Sequence, residues 1–138
     1  MKIQPYSPEY QDAVIALWQK CHLVRPNNNP QKDIQRKLKV NPELFLIGLL
    51  DGKVVATGMG GYEGHRGWVN YLGVDPAYRH KGYARQLMNA LEAMLLERGC
   101  PKLNLQVLAD NRDAMIFYER IGYKRDEVVS MGKRLIPD

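Results

Sequence analysis

The spacing of apolar residues predicts short strands alternating with amphipathic helices along the whole chain. The predicted strands cover residues 2–5, 44–50, 54–60, 67–74, 102–108 and 128–136, and the predicted helices cover 8–21, 30–40, 82–98 and 111–121. This order, β-α-α-β-β-β-α-β-α-β, predicts an α/β fold in which helices flank both faces of a single mixed β-sheet. The helix over 82–98 crosses back between two strands, so the strands at 67–74 and 102–108 should be parallel neighbours.

Turn residues separate these elements. Asp51-Gly52 lies between two apolar runs and predicts a tight β-hairpin. Asp75-Pro76 ends the strand before it, because proline has no N–H to donate to a sheet and disfavours helix at the preceding residue. The helix that follows should therefore begin near Gly82, after a short turn.

Positive charge is concentrated at that helix start. The residues around it are Arg79, His80, Lys81 and Arg85, together with Gly82 and the small Ala84. The first turn of a helix has backbone N–H groups without internal partners, and the peptide dipoles add partial positive charge there. Gly82 allows a bulky anion to approach the backbone, so the pattern predicts a diphosphate site. A solvated basic turn is the alternative.

Composition sets further limits. A chain of 138 residues, with 45% hydrophobic and 25% charged residues, is typical of one soluble globular domain, predicted here over residues 1–138. We expect no membrane-spanning segment, no signal peptide at the start, no metal site, and two reduced cysteines, Cys21 and Cys100, in a cytoplasmic protein. The net charge of +5 suits a polyanion. Its concentration at one helix start favours a small phosphorylated ligand over nucleic acid.

Two motifs carry a family resemblance. The first is Arg79-x-x-Gly82-x-Ala84, preceded by Val74-Asp75-Pro76 and Tyr78. The second is the run from Asn111 to Tyr123, with Ala114, Tyr118 and Gly122 at the spacing Asn-x-x-Ala-x-x-x-Tyr-x-x-x-Gly-Tyr. In this order, and about thirty residues apart, they resemble the two signatures of the GNAT superfamily, the GCN5-related N-acetyltransferases. The resemblance covers nearly the whole chain and is closest to small bacterial members of unassigned substrate.

The resemblance implies a reaction and a set of site residues. It implies an enzyme that moves an acetyl group from acetyl-CoA, as co-substrate, to a primary amine by direct attack in a ternary complex. The residues it places at the coenzyme are Leu72, Gly73, Val74, Arg79, His80, Lys81, Gly82, Tyr83, Ala84, Arg85 and Asn111. The backbone of Leu72 and Val74 would bind the pantetheine arm and the thioester carbonyl, and Gly73 would ease a strand bulge, unless it is only a weak strand residue. Tyr118 would protonate the departing thiolate, although an aromatic on a helical stripe is ordinarily a core residue.

The general base is left open. N-terminal acetyltransferases of ribosomal proteins in this superfamily have a glutamate where this chain has Gln106, which cannot accept a proton. Glu63 and His65 are alternatives that act through water, or else they are ordinary surface residues. Deprotonating a lysine side chain at pH 7 costs about 4.6 kcal/mol, whereas an α-amine costs about 1 kcal/mol. A weak base therefore favours α-amines or other amines of low pKa.

The acceptor pocket is expected from residues 25–30, the helix over 30–40 and residues 62–66. Arg25 either holds a carboxylate or phosphate of the acceptor or is solvated. Two other functions remain open: a non-catalytic acyl-CoA-binding regulatory module and a small nucleic-acid-binding domain. Under the favoured reading as an enzyme, we expect neither nucleic acid nor a membrane to be a partner. An exposed last strand is compatible with a homodimer, but no residue requires one.

Overall fold

The structure, a computed structural model, describes all residues from 1 to 138. They form two compact units, residues 1–105 and residues 106–138. The first unit holds the whole β-sheet and three α-helices, and the second holds one α-helix and the C-terminal segment. The prediction of one domain over residues 1–138 stays a prediction.

Nine regular elements follow one another in nearly the predicted order. They are β1 (Lys2–Pro5), α1 (Gln11–Lys20), α2 (Pro30–Lys37), β2 (Phe45–Leu50), β3 (Lys53–Tyr62), β4 (Gly67–Val74), α3 (Tyr83–Glu97), β5 (Leu103–Leu105) and α4 (Arg112–Arg120). Short 3₁₀ turns lie at Pro8–Tyr10, Pro42–Leu44 and Pro76–Tyr78. The spatial order of the strands is β1-β2-β3-β4-β5. The first four are antiparallel, and β5 is parallel to β4, as the helical crossover between them predicts.

The predicted hairpin is present between β2 and β3. Asp51 and Gly52 both have positive φ, 49° and 77°. Two consecutive residues in this region make the tight turn whose twist matches that of the flanking strands. Because Asp and Gly tolerate this region better than other residues, the dipeptide predicted the turn correctly.

Each face of the sheet in residues 1–105 carries part of the core. Trp18 of α1 and Ile34 of α2 are fully buried and pack with Phe45 of β2 on one face. On the other face, Leu91 of α3 lies over Gly58 and Gly60 of β3, at 3.2 and 3.0 Å from the position a Cβ would take there. The small residues of β3 therefore let α3 lie close to the sheet.

A β-bulge interrupts the pairing of β3 and β4. Thr57 pairs with Gly73 and Met59 pairs with Asn70, so β4 holds one extra residue in this interval. Tyr71 adopts φ 51°, a rare conformation for a residue with a large side chain. The residue of the bulge with the unusual backbone is Tyr71, and Gly73 pairs with Thr57 at its border, so a part for Gly73 in easing the bulge stays a prediction.

Buried hydrogen bonds hold the bulge in place. The indole Nε1 of Trp18 donates to Oγ1 of Thr57 (2.9 Å), and the Thr57 hydroxyl donates to the carbonyl of Tyr71 (2.9 Å). The ring of Tyr71 stacks on Trp18, with centroids 3.8 Å apart. Tyr71 is thus fixed through both its backbone and its ring.

Two strand predictions near the C-terminus need correction. The strand predicted over 102–108 is β5 over Leu103–Leu105 only, and the strand predicted over 128–136 is absent. The apolar side chains of that last segment are exposed, with Val129 at 87% and Met131 at 92%. The segment has apolar, β-branched residues but no partner strand, and strand propensity alone does not form a sheet.

Gly73→Ala should destabilise the fold through packing. An added Cβ would lie 3.0 Å from Cδ1 of Leu23 and 3.2 Å from Sγ of Cys21, and crowding of this kind typically costs about 1–3 kcal/mol. Denaturant unfolding measures the loss. Gly132→Ala is the control, because nothing lies within 4 Å of its added Cβ. Equal stability of the two variants would show that close packing is not what requires Gly73.

Candidate functional site

One edge of β4 loses its neighbour halfway along the strand. The parallel pairing with β5 ends at Val69, which is opposite Leu105, and residues 70–74 pair only with β3. Ala56 and Val74 form a non-hydrogen-bonded pair, because the neighbouring Asp75 N–H donates to the Val55 carbonyl (2.8 Å). The N–H and C=O of Val74 therefore point away from β3, towards the open edge. Backbone groups at such an edge can bind an extended ligand as an added strand.

The Val74 carbonyl is already used within the chain. It accepts hydrogen bonds from Nε of Arg79 (3.1 Å) and from Sγ of Cys21 (3.3 Å). A carbonyl oxygen has two lone pairs, and these two contacts use both of them. The N–H is therefore the backbone group of Val74 that a ligand can bind.

Burial is the main cause that raises the pKa of the Cys21 thiol. Cys21 and Cys100 are both free cysteines, as expected.

The turn after β4 is organised by a buried carboxylate. Asp75 accepts a hydrogen bond from the Ala77 N–H (2.9 Å) and pairs with Nζ of Lys20 (3.2 Å). The backbone hydrogen bond from Ala77 is the main cause that lowers the pKa of Asp75, and Lys20 adds to it. This contact starts the 3₁₀ turn Pro76–Tyr78 and directs the chain towards α3.

The start of α3 is open to solvent. Gly82 is the N-cap with φ 83°, and nothing lies within 4 Å of the position of an added Cβ. The predicted residues gather around this turn: Arg79, His80, Lys81 and Arg85 are exposed, and Tyr83 and Ala84 are half-buried. Lys81 and Lys53 both place Nζ near the ring of Tyr78, at 5.8 and 5.2 Å from its centroid. This is an accessible, cationic helix N-terminus of the kind that binds anions.

The second motif forms a helix that is capped at both ends. In residues 106–138, the side chain of Asn111 accepts a hydrogen bond from the Ala114 N–H (3.1 Å) and caps α4. At the other end Gly122 has φ 103°, its N–H donates to Glu119 (3.1 Å), and the Tyr123 N–H donates to the Tyr118 carbonyl (2.9 Å). These are the two hydrogen bonds of a Schellman motif. The spacing of the motif therefore has a structural reason of its own.

Tyr118 lies between two aromatic rings. Its ring centroid is 5.1 Å from that of Phe117 and 5.8 Å from that of Tyr123, both with edge-on geometry. Burial raises the pKa of Tyr118 to about 12. The phenol therefore stays protonated at neutral pH, as a proton donor must.

Comparison with known proteins now bears on these two motifs. The family model described as "Acetyltransferase (GNAT) family" matches residues 8–123, which include the α3 turn and the whole of α4. The chain belongs to the acetyltransferase (GNAT) family. This membership confirms the predicted fold class and the prediction of an acetyl-CoA-dependent N-acetyltransferase.

Solved structures show the same fold. The aminoglycoside N-acetyltransferase AAC(6')-Iy, in complex with the bisubstrate analogue CoA-S-monomethyl-acetylneamine, matches with TM-score 0.78 and 16% identity over 96% of this chain and 97% of that chain. The apo aminoglycoside 6'-N-acetyltransferase AAC(6')-IG from Acinetobacter haemolyticus matches with TM-score 0.76 and 19% identity over 99% of this chain and 100% of that chain. The ribosomal-protein-S18-alanine N-acetyltransferase from Escherichia coli matches with TM-score 0.73 and 23% identity over 88% of this chain and 76% of that chain.

The structure weakens the candidates for the base of this acetyltransferase. The Glu63 carboxylate accepts hydrogen bonds from the N–H groups of Arg66 and His65, both at 2.5 Å, and these bonds lower its pKa. Glu63 therefore closes a turn and is a poor proton acceptor. Gln106 contacts the Ser130 hydroxyl. The side chain of Arg25 is exposed, and its backbone N–H bonds to Asn28.

Sequence analysis missed two residues on the predicted acceptor side of this acetyltransferase. The hydroxyl of Tyr71 donates to Oδ2 of Asp33 (2.5 Å), and Nδ2 of Asn28 contacts the same hydroxyl. Both Tyr71 and Asp33 line a pocket of about 420 Å³ between α2 and the sheet. No local pattern marks them, because they lie 38 residues apart in the sequence.

The structure contains no cluster of His, Cys, Asp or Glu side chains that could hold a metal ion. None of its helices has the length and apolar character of a membrane span.

Asp75→Asn should destabilise this acetyltransferase in a pH-dependent way. The folded pKa of Asp75 is lowered below its unfolded value of about 3.9, so the carboxylate stabilises the fold above about pH 4 and loses this effect as pH falls through the folded pKa. We expect a loss of about 1–2 kcal/mol at neutral pH.

Urea unfolding at neutral and acidic pH measures this effect. The difference between the parent and Asp75→Asn should narrow below about pH 4. Asp51→Asn, at the exposed hairpin turn, is the control and should show no such trend. A deficit that does not change with pH would contradict a role for the ionised Asp75.

Proposed function

We propose that this acetyltransferase moves the acetyl group of acetyl-CoA directly onto a primary amine, with both substrates bound together. The observation that carries the proposal is the continuous run from the open edge of β4 into the uncovered N-terminus of α3. The open strand edge suits the extended pantetheine arm of acetyl-CoA, and the helix N-terminus that follows it suits the diphosphate. Binding both substrates in one complex supplies rate through proximity and needs no covalent intermediate on the enzyme.

The diphosphate would bind at the turn before α3. The backbone N–H groups that follow Gly82 supply donors, and the exposed cations at positions 79, 80, 81 and 85 supply charge. Nothing fills the space beside Gly82, which supports close approach of a phosphate to the backbone. Tyr83 and Ala84 then form the first turn of the site.

The thioester would lie along the open edge of β4. The Val74 N–H faces this edge, and the backbone of Leu72, in the adjoining bulge, is proposed as a second contact of the pantetheine arm. A backbone donor directed at the thioester oxygen stabilises the negative charge that develops there when the amine attacks, an effect worth roughly 3 kcal/mol. Asn111, which caps α4, is proposed as a further contact of the pantetheine arm.

Tyr118 is the proposed general acid. The acceptor ammonium first loses a proton, its nitrogen then bonds to the acetyl carbon, and the carbon–sulfur bond breaks. The departing thiolate takes the proton of the Tyr118 phenol. The second proton that leaves the nitrogen then converts the Tyr118 phenolate back to the phenol. The net release is one proton to solvent. The Tyr118 phenol is protonated at neutral pH, as a donor must be, although its raised pKa makes it a weaker acid than a free phenol.

The acceptor is proposed to be an α-amine or another amine of low pKa. Position 106, directly after β5, is a glutamine, and Glu63 is a poor base, so an amine that deprotonates easily is favoured. The structural relatives named for aminoglycosides and for the S18 alanine are in line with acetylation of an amine. We also propose a cytoplasmic location, supported by the two free cysteines, and partners that include neither nucleic acid nor membrane. A homodimer stays a prediction.

Gly82→Glu should abolish coenzyme binding. The new side chain would place a negative charge at the diphosphate site and would strain a residue with φ 83°. We expect at least a tenfold weaker affinity for acetyl-CoA by calorimetry, since one opposed charge costs about 1.4 kcal/mol or more. Gly99→Glu is the matched control, because Gly99 has φ 79°, follows the other end of α3 and also has nothing within 4 Å of its Cβ position. Equal affinities in the two variants would refute the site.

Tyr118→Phe should lower turnover well over tenfold and leave acetyl-CoA binding nearly intact. The phenylalanine ring keeps the contacts with Phe117 and Tyr123, while the proton donor is lost. Release of free thiol with an amine panel measures turnover, and calorimetry measures binding. Unchanged turnover would remove Tyr118 from the mechanism. Coenzyme binding by the parent without turnover of any amine would support a non-catalytic acyl-CoA-binding module.

A further inference from the structure

The pocket between α2 and the sheet combines opposite charges with an apolar wall. Its lining residues are Asp33, Arg36, Lys37, Val40, Met59, Asn70 and Tyr71. Its volume of about 420 Å³ accommodates a molecule of amino-acid size. Asn70 and Tyr71 directly follow Val69, where β4 loses its pairing with β5, so two lining residues of the pocket precede the stretch of β4 that is proposed for the thioester.

The single carboxylate of this pocket is held in a fixed direction. Oδ2 of Asp33 accepts the hydroxyl of Tyr71 at 2.5 Å, and Asn28 contacts the same hydroxyl from the loop before α2. Tyr71 is itself fixed by Trp18 and Thr57. The Asp33 side chain is 24% exposed. A carboxylate that is positioned in this way is suited to bind an ammonium group.

Two cations face the same space from α2. Nη1 of Arg36 lies 3.4 Å from Oδ1 of Asp33, a loose contact, and the Arg36 side chain is 47% exposed. A guanidinium has five N–H donors, so Arg36 can bind a ligand anion and keep its contact with Asp33. Nζ of Lys37 contacts the Gly60 carbonyl, and burial lowers the pKa of Lys37. The two cations and one carboxylate give the pocket a net positive charge, which disfavours an acceptor with several amines.

We infer that the acceptor is a zwitterion of the α-amino acid class, with its ammonium bound by Asp33 and its carboxylate bound by Arg36 and Lys37. Val40 and Met59 then contact an apolar side chain of the acceptor. The inference rests on the proposed acetyl transfer and defines the acceptor by its charges and not by a low amine pKa, because the carboxylate of a free amino acid raises the pKa of its own ammonium. It separates this chain from acetyltransferases of polycationic substrates, because an aminoglycoside offers no anion for Arg36.

The test compares each amino acid with its own amide in the intact protein. Leucine and leucinamide, and methionine and methioninamide, differ only in the carboxylate, and the amide has more free amine at neutral pH. We expect kcat/KM for the acid to exceed that for the amide by about tenfold or more, the size of one charge-assisted hydrogen bond. Arg36→Gln should remove this preference and bring the acid-to-amide ratio of kcat/KM close to one. Asp33→Asn should lower both members of each pair by a similar factor.

Controls separate the possible failures. Lys32→Gln makes the same change of charge on an exposed position of α2 outside the pocket and should keep the preference. Acetyl-CoA affinity, measured by calorimetry for every variant, shows that each one is folded. An equal or better rate for the amides, an unchanged preference in Arg36→Gln, or acetylation restricted to other amines would overturn the inference and leave acetyl transfer standing. No turnover of any amine by the parent would overturn the proposed function, and the inference with it.

Discussion

The hydrogen bonds from Trp18 to Thr57 and from Thr57 to the Tyr71 carbonyl hold the bulge of β4 in place. This bulge lies next to the part of β4 that is proposed to bind the coenzyme. They replace the β-ladder bonds that the bulge removes, and they do so in a fully buried position where an unmade bond would be costly. Because β4 bulges at this point, its last residues diverge from the regular register and present their backbone to one side. The edge itself is open because β5 ends at Leu105, and the side-chain network holds the bulge of β4 beside it.

Each of the two family motifs combines structural and chemical requirements in the same few residues. At the start of α3, glycine supplies the positive φ that ends the turn and also the space that a phosphate needs. In α4, Asn111 and Gly122 cap the helix, and the position of Tyr118 three residues before the C-cap places its ring against Tyr123. A motif of this kind persists for the fold even where the chemistry is not used, so its presence alone does not prove catalysis.

Features that depend on neighbouring residues could be predicted from the sequence. The Asp51-Gly52 turn, the start of α3 at Gly82 and the cap at Asn111 all follow from local backbone preferences, and the parallel direction of β5 follows from the helical crossover between β4 and β5. Features that depend on distant partners could not. The bulge at Tyr71 requires Trp18 and Thr57, and the pocket requires contact between Asp33 and a residue 38 positions away. The absent strand over 128–136 is the converse case, since its apolar residues suit a strand but no partner is adjacent.

The double capping of α4 has an evolutionary consequence. The helix is capped by the side chain of Asn111 and by backbone hydrogen bonds at Tyr118 and Gly122, and none of these bonds uses the phenolic oxygen of Tyr118. Under the proposed mechanism, a single nucleotide substitution from a tyrosine codon to a phenylalanine codon would remove the proton donor and keep both caps of the helix. A protein that binds the coenzyme as a sensor would then lie one mutation from an active enzyme, with no unfolded intermediate between the two.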